Sequence, residues 1–130
     1  MDIIKNVVES FYSIAVKDVI IGYHFRKIQE RESKDVLNPD ISFFENHIPR
    51  IVTFWKFQLL GEKTDQTYNL ISSHAPLKIR RGELDRWLML FNQTLDELAD
   101  DNLKTLWREK LNFFAQRFKE SDRIFTWENR

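Results

Sequence analysis

Apolar side chains recur at intervals of three and four residues along most of this chain, and residues that interrupt helices are scarce. The 130 residues include only three glycines and three prolines, and no segment alternates polar and apolar residues in the manner of a half-buried strand. Spacings of three and four residues place side chains on one face of an α-helix. The pattern therefore predicts an all-α fold, and the length suits a single domain over residues 1–130.

The same periodicity divides the chain into helical segments that are separated by polar turns. The predicted helices cover approximately residues 3–17, 19–28 with a break at Gly22, 42–61, 68–74, 82–99 and 103–120. The third of these begins with a capping-box pattern at Ser42, and Gly61 ends it. Pro49 lies inside this segment and removes a helical hydrogen bond, so we expect a kink there.

Composition excludes several classes of function. Twenty basic residues balance twenty acidic ones, so the chain lacks the positive charge typical of nucleic-acid binding. Cysteine is absent, which removes disulfides, thiolate metal sites and covalently attached haem. The sequence has neither an apolar run long enough for a membrane span nor a signal-peptide pattern at its start. We therefore expect a cytoplasmic protein that binds neither nucleic acid nor membrane.

Two of the three histidines lie within apolar helical stripes. His47 precedes apolar residues at positions 48, 51, 54 and 55, and His74 ends a short stripe before Pro76. Burying a polar group without a partner costs about 1–3 kcal/mol. Taken singly, each histidine is more often an ordinary core or helix-terminal residue. Two of them in an aromatic-rich helical domain favour a ligand bound between them, and haem is the leading candidate.

The segment around His47 carries the groups that haem requires. His47 and Ile51 are four residues apart, which places them about 6 Å apart along one helix face. Phe54 and Trp55 extend this face, and Arg50 flanks it. Haem has an apolar ring, acidic propionates and an iron that accepts an imidazole ligand. An imidazole, an apolar wall and a peripheral cation together match that chemistry.

Four stretches of the chain resemble the group III truncated haemoglobins, a family of short bacterial globins. They are Phe11-Tyr12 with residues 21–25, residues 47–55 with His47, Pro49, Phe54 and Trp55, His74 with Leu77, and residues 86–95 around Trp87. The resemblance extends from about Val8 to Lys119 and implies a two-over-two helical sandwich around haem b. The chain departs from the family pattern at residues 67–70 and at Leu84.

The resemblance also implies residue roles. His74 matches the proximal iron ligand, while Tyr12, His47 and Trp87 match the distal residues that stabilise bound dioxygen. The positions that match haem contacts are Phe25, His47, Arg50, Ile51, Phe54, Trp55, His74, Leu77 and Trp87. The implied function is the binding of dioxygen, carbon monoxide or nitric oxide at ferrous haem iron, for chemistry or sensing rather than bulk transport.

Candidate reactions are nitric oxide dioxygenation and peroxide reduction, supported by an unidentified reductase, in a monomer or weak dimer. Two other hypotheses remain open from the residues alone. One is a haem-linked sensor or interaction module with a degenerate pocket. The other is a non-haem metal protein in which His24, His47 and His74 meet. In the favoured hypothesis His24 is a surface residue, and Phe125 and Trp127 cap the bundle.

Overall fold

A computed structural model describes residues 2–25, 27, 47–64, 69–121 and 123–125. Every regular element within these residues is helical, which confirms the predicted all-α class. The helices are α1 (Ile3–Ala15), α2 (Ile48–Leu60), α3 (Leu70–His74), α4 (Arg81–Leu98) and α5 (Asp101–Glu120), and a 3₁₀ turn at Ala75–Leu77 follows α3. None of these helices is long and apolar enough to cross a membrane.

Short-range interactions set the ends of the helices. The Asp100 carboxylate accepts a hydrogen bond from the Leu103 backbone N–H at 2.9 Å and so caps α5. Asn69 caps α3 in the same way, by accepting from the N–H of Ser72. Gly61 ends α2 in the left-handed region, with a φ of 70°, which a residue without a Cβ adopts at little cost. The predicted end at Gly61 is confirmed.

The predicted kink at Pro49 is wrong. His47 lies in a turn, and α2 begins at Ile48, so Pro49 occupies the first turn of the helix. The first four N–H groups of a helix have no partner within it, and proline therefore removes no hydrogen bond there. Residues 42–46, including the predicted cap at Ser42, lie outside the described residues.

The predicted helix over residues 19–28 is shorter than expected. Residues 19–21 form turns, and helical backbone begins at Gly22, where a break was predicted. Both Ile20 and Ile21 donate their backbone N–H groups to the Asp18 carboxylate. A Cβ on Gly22 would lie 2.9 Å from the Val16 carbonyl oxygen. Glycine is therefore needed because the chain folds back closely on the end of α1.

The long helices pack in pairs around two groups of buried side chains. α1 packs against α2 and α4, and α5 packs against the same two helices. The main cluster centres on Phe11, Phe91 and Trp107, whose neighbouring ring centroids are 4.5 and 5.5 Å apart. The second cluster contains Leu77, Ile79, Leu84, Ala115, Phe118, Ile124 and Phe125. The two clusters leave an unfilled space between them.

We expect Leu95→Ala to lower the free energy of unfolding by about 2–5 kcal/mol, since truncation of a buried leucine leaves a cavity. Leu95 is fully buried in the main cluster. Gln93→Ala on the exposed side of α4 is the control, with an expected change within about 0.5 kcal/mol. Urea unfolding measures both, and equal effects would contradict the packing of α4 described above.

Candidate functional site

A cavity of about 420 Å³ occupies the space between the two core clusters and opens to solvent on one side. This volume is within the range of about 300–1,000 Å³ found for small-molecule and cofactor sites. Ten residues were assigned to a cofactor or its ligand from the sequence, and all ten line this cavity: Tyr12, Phe25, His47, Arg50, Ile51, Phe54, Trp55, His74, Leu77 and Trp87. The fold thus brings together side chains from four separate stretches.

Other cavity residues were not identified from the sequence as site residues. They are Leu70, Ser73, Ile79, Leu84, Leu88, Phe91, Leu111, Phe114, Ala115 and Phe118. Four of these form the apolar stripe on α5, and that spacing was visible in the sequence. An apolar stripe predicts burial without distinguishing a packed core from a cavity wall, so periodicity alone could not assign these side chains to the site.

His74 is held on the cavity wall by its own helix. Its Nδ1 lies 2.7 Å from the Leu70 carbonyl oxygen, and the Ser73 hydroxyl oxygen lies 3.1 Å from the same nitrogen. A carbonyl oxygen can only accept, so Nδ1 carries the proton and donates it. Nε2 then keeps its lone pair, and no described residue forms a hydrogen bond to it. The ring is fixed in orientation with one basic nitrogen available.

The surroundings of His74 keep its ring neutral. Burial lowers the pKa of His74 below its ordinary value of 6.5, and this exceeds the opposing effect of the Leu70 hydrogen bond. The Phe118 ring packs against the imidazole, with centroids 5.1 Å apart. Neutral imidazole is the form that ligates metals. Tautomer and charge are therefore both suited to ligation through Nε2.

Aromatic side chains form another part of the wall. The Tyr12 ring meets the Phe25 and Trp87 rings edge to face, with centroids 5.9 and 6.1 Å apart. Burial raises the pKa of Tyr12 above its ordinary value of 10, so its hydroxyl is neutral and able to donate. The Trp87 ring lies 6.4 Å from His74, which is a distance of direct ring contact.

The start of α2 supplies the cavity's polar rim. His47 is the N-cap residue of α2 and is half-buried, whereas Arg50 is exposed. Among the residues that the structure describes, Arg50 forms no ion pair, so its charge is available to an anionic group. Phe54 and Trp55 lie deeper on the same helix and are buried. The rim is cationic and the interior is apolar.

His24 is not a surface residue, contrary to the expectation from sequence. It is 1% exposed, and its Nε2 lies 3.2 Å from Oε1 of Glu83. The segment after α1, in which a turn leads into a helix, places the His24 side chain in the interior beside Glu83. This contact is distant in sequence, so the local sequence pattern did not show it. His24 does not line the cavity, and the described residues contain no group of three metal-binding side chains. The hypothesis of a three-histidine metal centre is therefore not supported.

Phe125 is fully buried in the second cluster, which confirms its predicted capping position; Trp127 lies outside the described residues.

Comparison of this chain with protein-family models, curated proteins and solved structures finds no match.

We expect His74 in the ligand-free protein to be an Nδ1–H tautomer that titrates below pH 6.5. Since the unfolded chain takes up this proton first, His74 contributes stability that begins to fall as the pH drops below 6.5 and is fully lost below its folded-state pKa. Nitrogen-15 NMR of the histidine rings measures both tautomer and titration. A protonated Nε2 at neutral pH would contradict the assignment.

Proposed function

We propose that this protein is a haem-binding globin of the truncated type, with a two-over-two helical arrangement and His74 as the proximal ligand to the iron of haem b. The observation that carries the proposal is the state of His74. Its Nδ1 donates to the Leu70 carbonyl at 2.7 Å, which leaves Nε2 free in an apolar cavity. Metal-ligating histidines almost always donate their other ring N–H in this way.

The size of the cavity supports a resident ligand. The cavity has a volume of about 420 Å³, and most of the residues that line it are apolar. This size and character are typical of small-molecule and cofactor sites. Water forms few favourable interactions with walls made of phenylalanine, tryptophan and leucine. A large apolar ligand that also has one atom able to bind the His74 imidazole matches this lining better than water does.

The donor set fits haem in particular. Haem supplies an iron that takes an imidazole nitrogen and binds dioxygen or another diatomic ligand. His74 offers that nitrogen, Phe118 packs against its imidazole, and exposed Arg50 at the rim can pair with a propionate. An exposed cation beside an apolar slot is the arrangement required by a ligand with an apolar ring and acidic edges. The same arrangement is poorly suited to a purely apolar ligand.

Tyr12 is the principal hydrogen-bond donor in the proposed site. Its hydroxyl is buried and neutral at physiological pH, so it can donate to a diatomic ligand that acquires negative charge, and Trp87 is a second donor through its indole N–H. The Trp87 and His74 rings are in direct contact in this structure. Entry of a flat ring beside His74 requires the Trp87 side chain to withdraw, so the two rings separate on binding.

His47 is placed to influence access rather than to anchor the ligand. It is the residue before the first turn of α2, half-buried at the cavity, where rotation of the side chain does not disturb a helical hydrogen bond. We propose that it contributes a donor or a gate beside Tyr12. The proposal includes a cytoplasmic setting and an unidentified reductase as the electron donor. The reactions considered are nitric oxide dioxygenation and peroxide reduction.

Haem titration of the purified full chain tests the proposal. We expect a Soret band to appear at one equivalent of haem, to shift sharply when the reduced protein is exposed to carbon monoxide, and to be accompanied by quenching of tryptophan fluorescence. His74→Ala should lose the stoichiometric Soret band because it removes the ligating nitrogen. Ser72→Ala on the exposed side of the same short helix is the control. Absence of a Soret band in the unaltered chain would support a degenerate pocket instead.

We expect Tyr12→Phe to raise the dioxygen dissociation rate of the haem-loaded protein at least about tenfold, since a hydrogen bond to a charged group contributes about 1.5–3 kcal/mol. Stopped-flow mixing measures this rate. Ser13→Ala, at an exposed position one residue away, is the matched control. A Tyr12→Phe rate within twofold of the unaltered protein would remove Tyr12 from the donor set.

A further inference from the structure

A buried polar cluster outside the cavity joins residues 18–25 to the start of α4. It contains His24, Glu83 and Tyr23, and none of these three residues lines the cavity. The proposed haem site makes no use of them. A buried histidine beside a buried carboxylate is a costly arrangement in a domain of this size, so the charge of His24 affects how strongly this contact is held.

His24 is the least satisfied polar residue of this cluster. Its side chain is 1% exposed, and Nε2 lies 3.2 Å from Oε1 of Glu83. That distance permits charge attraction, but neither ring nitrogen has an aligned hydrogen bond among the described residues. The ring stacks at a tilt on Tyr23, with centroids 4.1 Å apart. The pocket around His24 therefore has one nearby acceptor and little capacity to solvate a full positive charge.

Both carboxylate oxygens of Glu83, by contrast, accept hydrogen bonds. One carboxylate oxygen accepts the Arg80 backbone N–H at 2.8 Å, and the other accepts the Tyr23 hydroxyl. Burial alone would raise the pKa of Glu83, but the hydrogen bonds from Tyr23 and Arg80, together with the attraction to His24, outweigh burial and lower that pKa. Burial and the Glu83 bond raise the pKa of Tyr23 to about 12. Glu83 is thus a fixed anion and Tyr23 a fixed donor at physiological pH.

Two further contacts hold the chain after α1 in place, one to the 3₁₀ turn and one to α4. Lys27 Nζ donates to the Leu77 carbonyl oxygen at 2.9 Å. At the other end, Arg86 pairs with Asp18 through two nitrogens, at 2.7 and 3.2 Å. Asp18 and Arg86 stabilise each other's charged forms, which lowers the pKa of Asp18 and raises the pKa of Arg86. Among the described residues of this contact, His24 is the group whose ordinary titration falls between pH 5 and 8.

The charges facing His24 decide how it responds to acid. Burial lowers the pKa of His24, the positive charge of Lys27 lowers it further, and Glu83 opposes both without reversing them. At the start of α4, Glu83 faces His24, and Arg80 lies near Tyr23. From the part of the chain after α1, Tyr23 and Lys27 face His24. A state in which His24 is in water binds the proton more readily, so acid favours that state.

We propose that His24, Glu83 and Tyr23 form a proton-operated latch, which holds residues 18–25 against the start of α4 while His24 is neutral and releases them when His24 takes up a proton. Release affects the cavity directly. Phe25 follows His24 and lines the cavity, and Leu77, which also lines it, gives its carbonyl to Lys27. Protonation of His24 therefore alters the cavity wall that also carries His74, whether or not the ligand is haem.

Thiol labelling of the full chain tests the latch, because the natural sequence contains no cysteine. Ile21 is fully buried, lies within the latched segment and is not a cavity residue. Ile21→Cys therefore reacts with a dithiodipyridine reagent only when the segment lifts. With an open-state pKa of 6.5, we expect its labelling rate, relative to free cysteine, to rise up to about tenfold between pH 7.5 and 5.5.

Val8→Cys is the matched control, since Val8 is equally buried in α1 but outside the latch. Its labelling requires α1 itself to unfold, so its relative rate should stay far below that of Ile21→Cys at every pH in this range. In an Ile21→Cys background, His24→Leu should abolish the rise, because the group that takes up the proton is gone. The proposal is overturned by an unchanged rate at Ile21→Cys, by a relative rate at Val8→Cys that equals it, or by a rise that survives His24→Leu.

If His24→Leu does not fold, histidine NMR on the unaltered chain tests the latch by measuring the pKa of His24. The chain has only three histidines, so each ring signal can be assigned by single substitution. An apparent His24 pKa below 6.5, together with labelling that increases below that pH, supports the latch. A His24 pKa at or above 6.5 overturns it, since acid would then strengthen the closed state.

Discussion

Two clusters of buried side chains approach one another without closing the space between them, and the remaining features of the molecule depend on this gap. The Phe11, Phe91 and Trp107 rings fill the main cluster, and Phe118, Ile124 and Phe125 fill the second. Both clusters share walls with the cavity, so neither is a complete core by itself. Whatever occupies the cavity joins them, and its binding energy is therefore also folding energy.

The polar chemistry of the cavity comes from very few groups, each held by a different part of the backbone. A carbonyl one turn earlier in α3 orients His74, burial keeps Tyr12 neutral, and the start of α2 places His47 and Arg50 at the mouth. In an apolar surrounding each of these groups exerts a stronger field than it would in water. A small set of donors is sufficient for orientation and specificity in such a site.

We expect acid to destabilise this protein through two buried histidines that lie at different places in the fold. Burial lowers the pKa of both His24 and His74, so the unfolded or opened chain takes up protons first in each case. His74 is part of the cavity wall, while His24 belongs to the contact between residues 18–25 and α4. The Asp18–Arg86 ion pair belongs to the same contact, and Lys27 close by donates a hydrogen bond to the Leu77 carbonyl.

The sequence by itself determined the all-α class and the position of most helices, because helical periodicity and capping are local properties. Gly61 and the stripe around Phe54 and Trp55 could be assigned from neighbours a few residues away. The tertiary structure alone decided that His24 is buried, since its partner Glu83 lies far along the chain. It also decided that the α5 stripe borders a cavity, because the space between helices depends on how they pack and not on the pattern of any one of them.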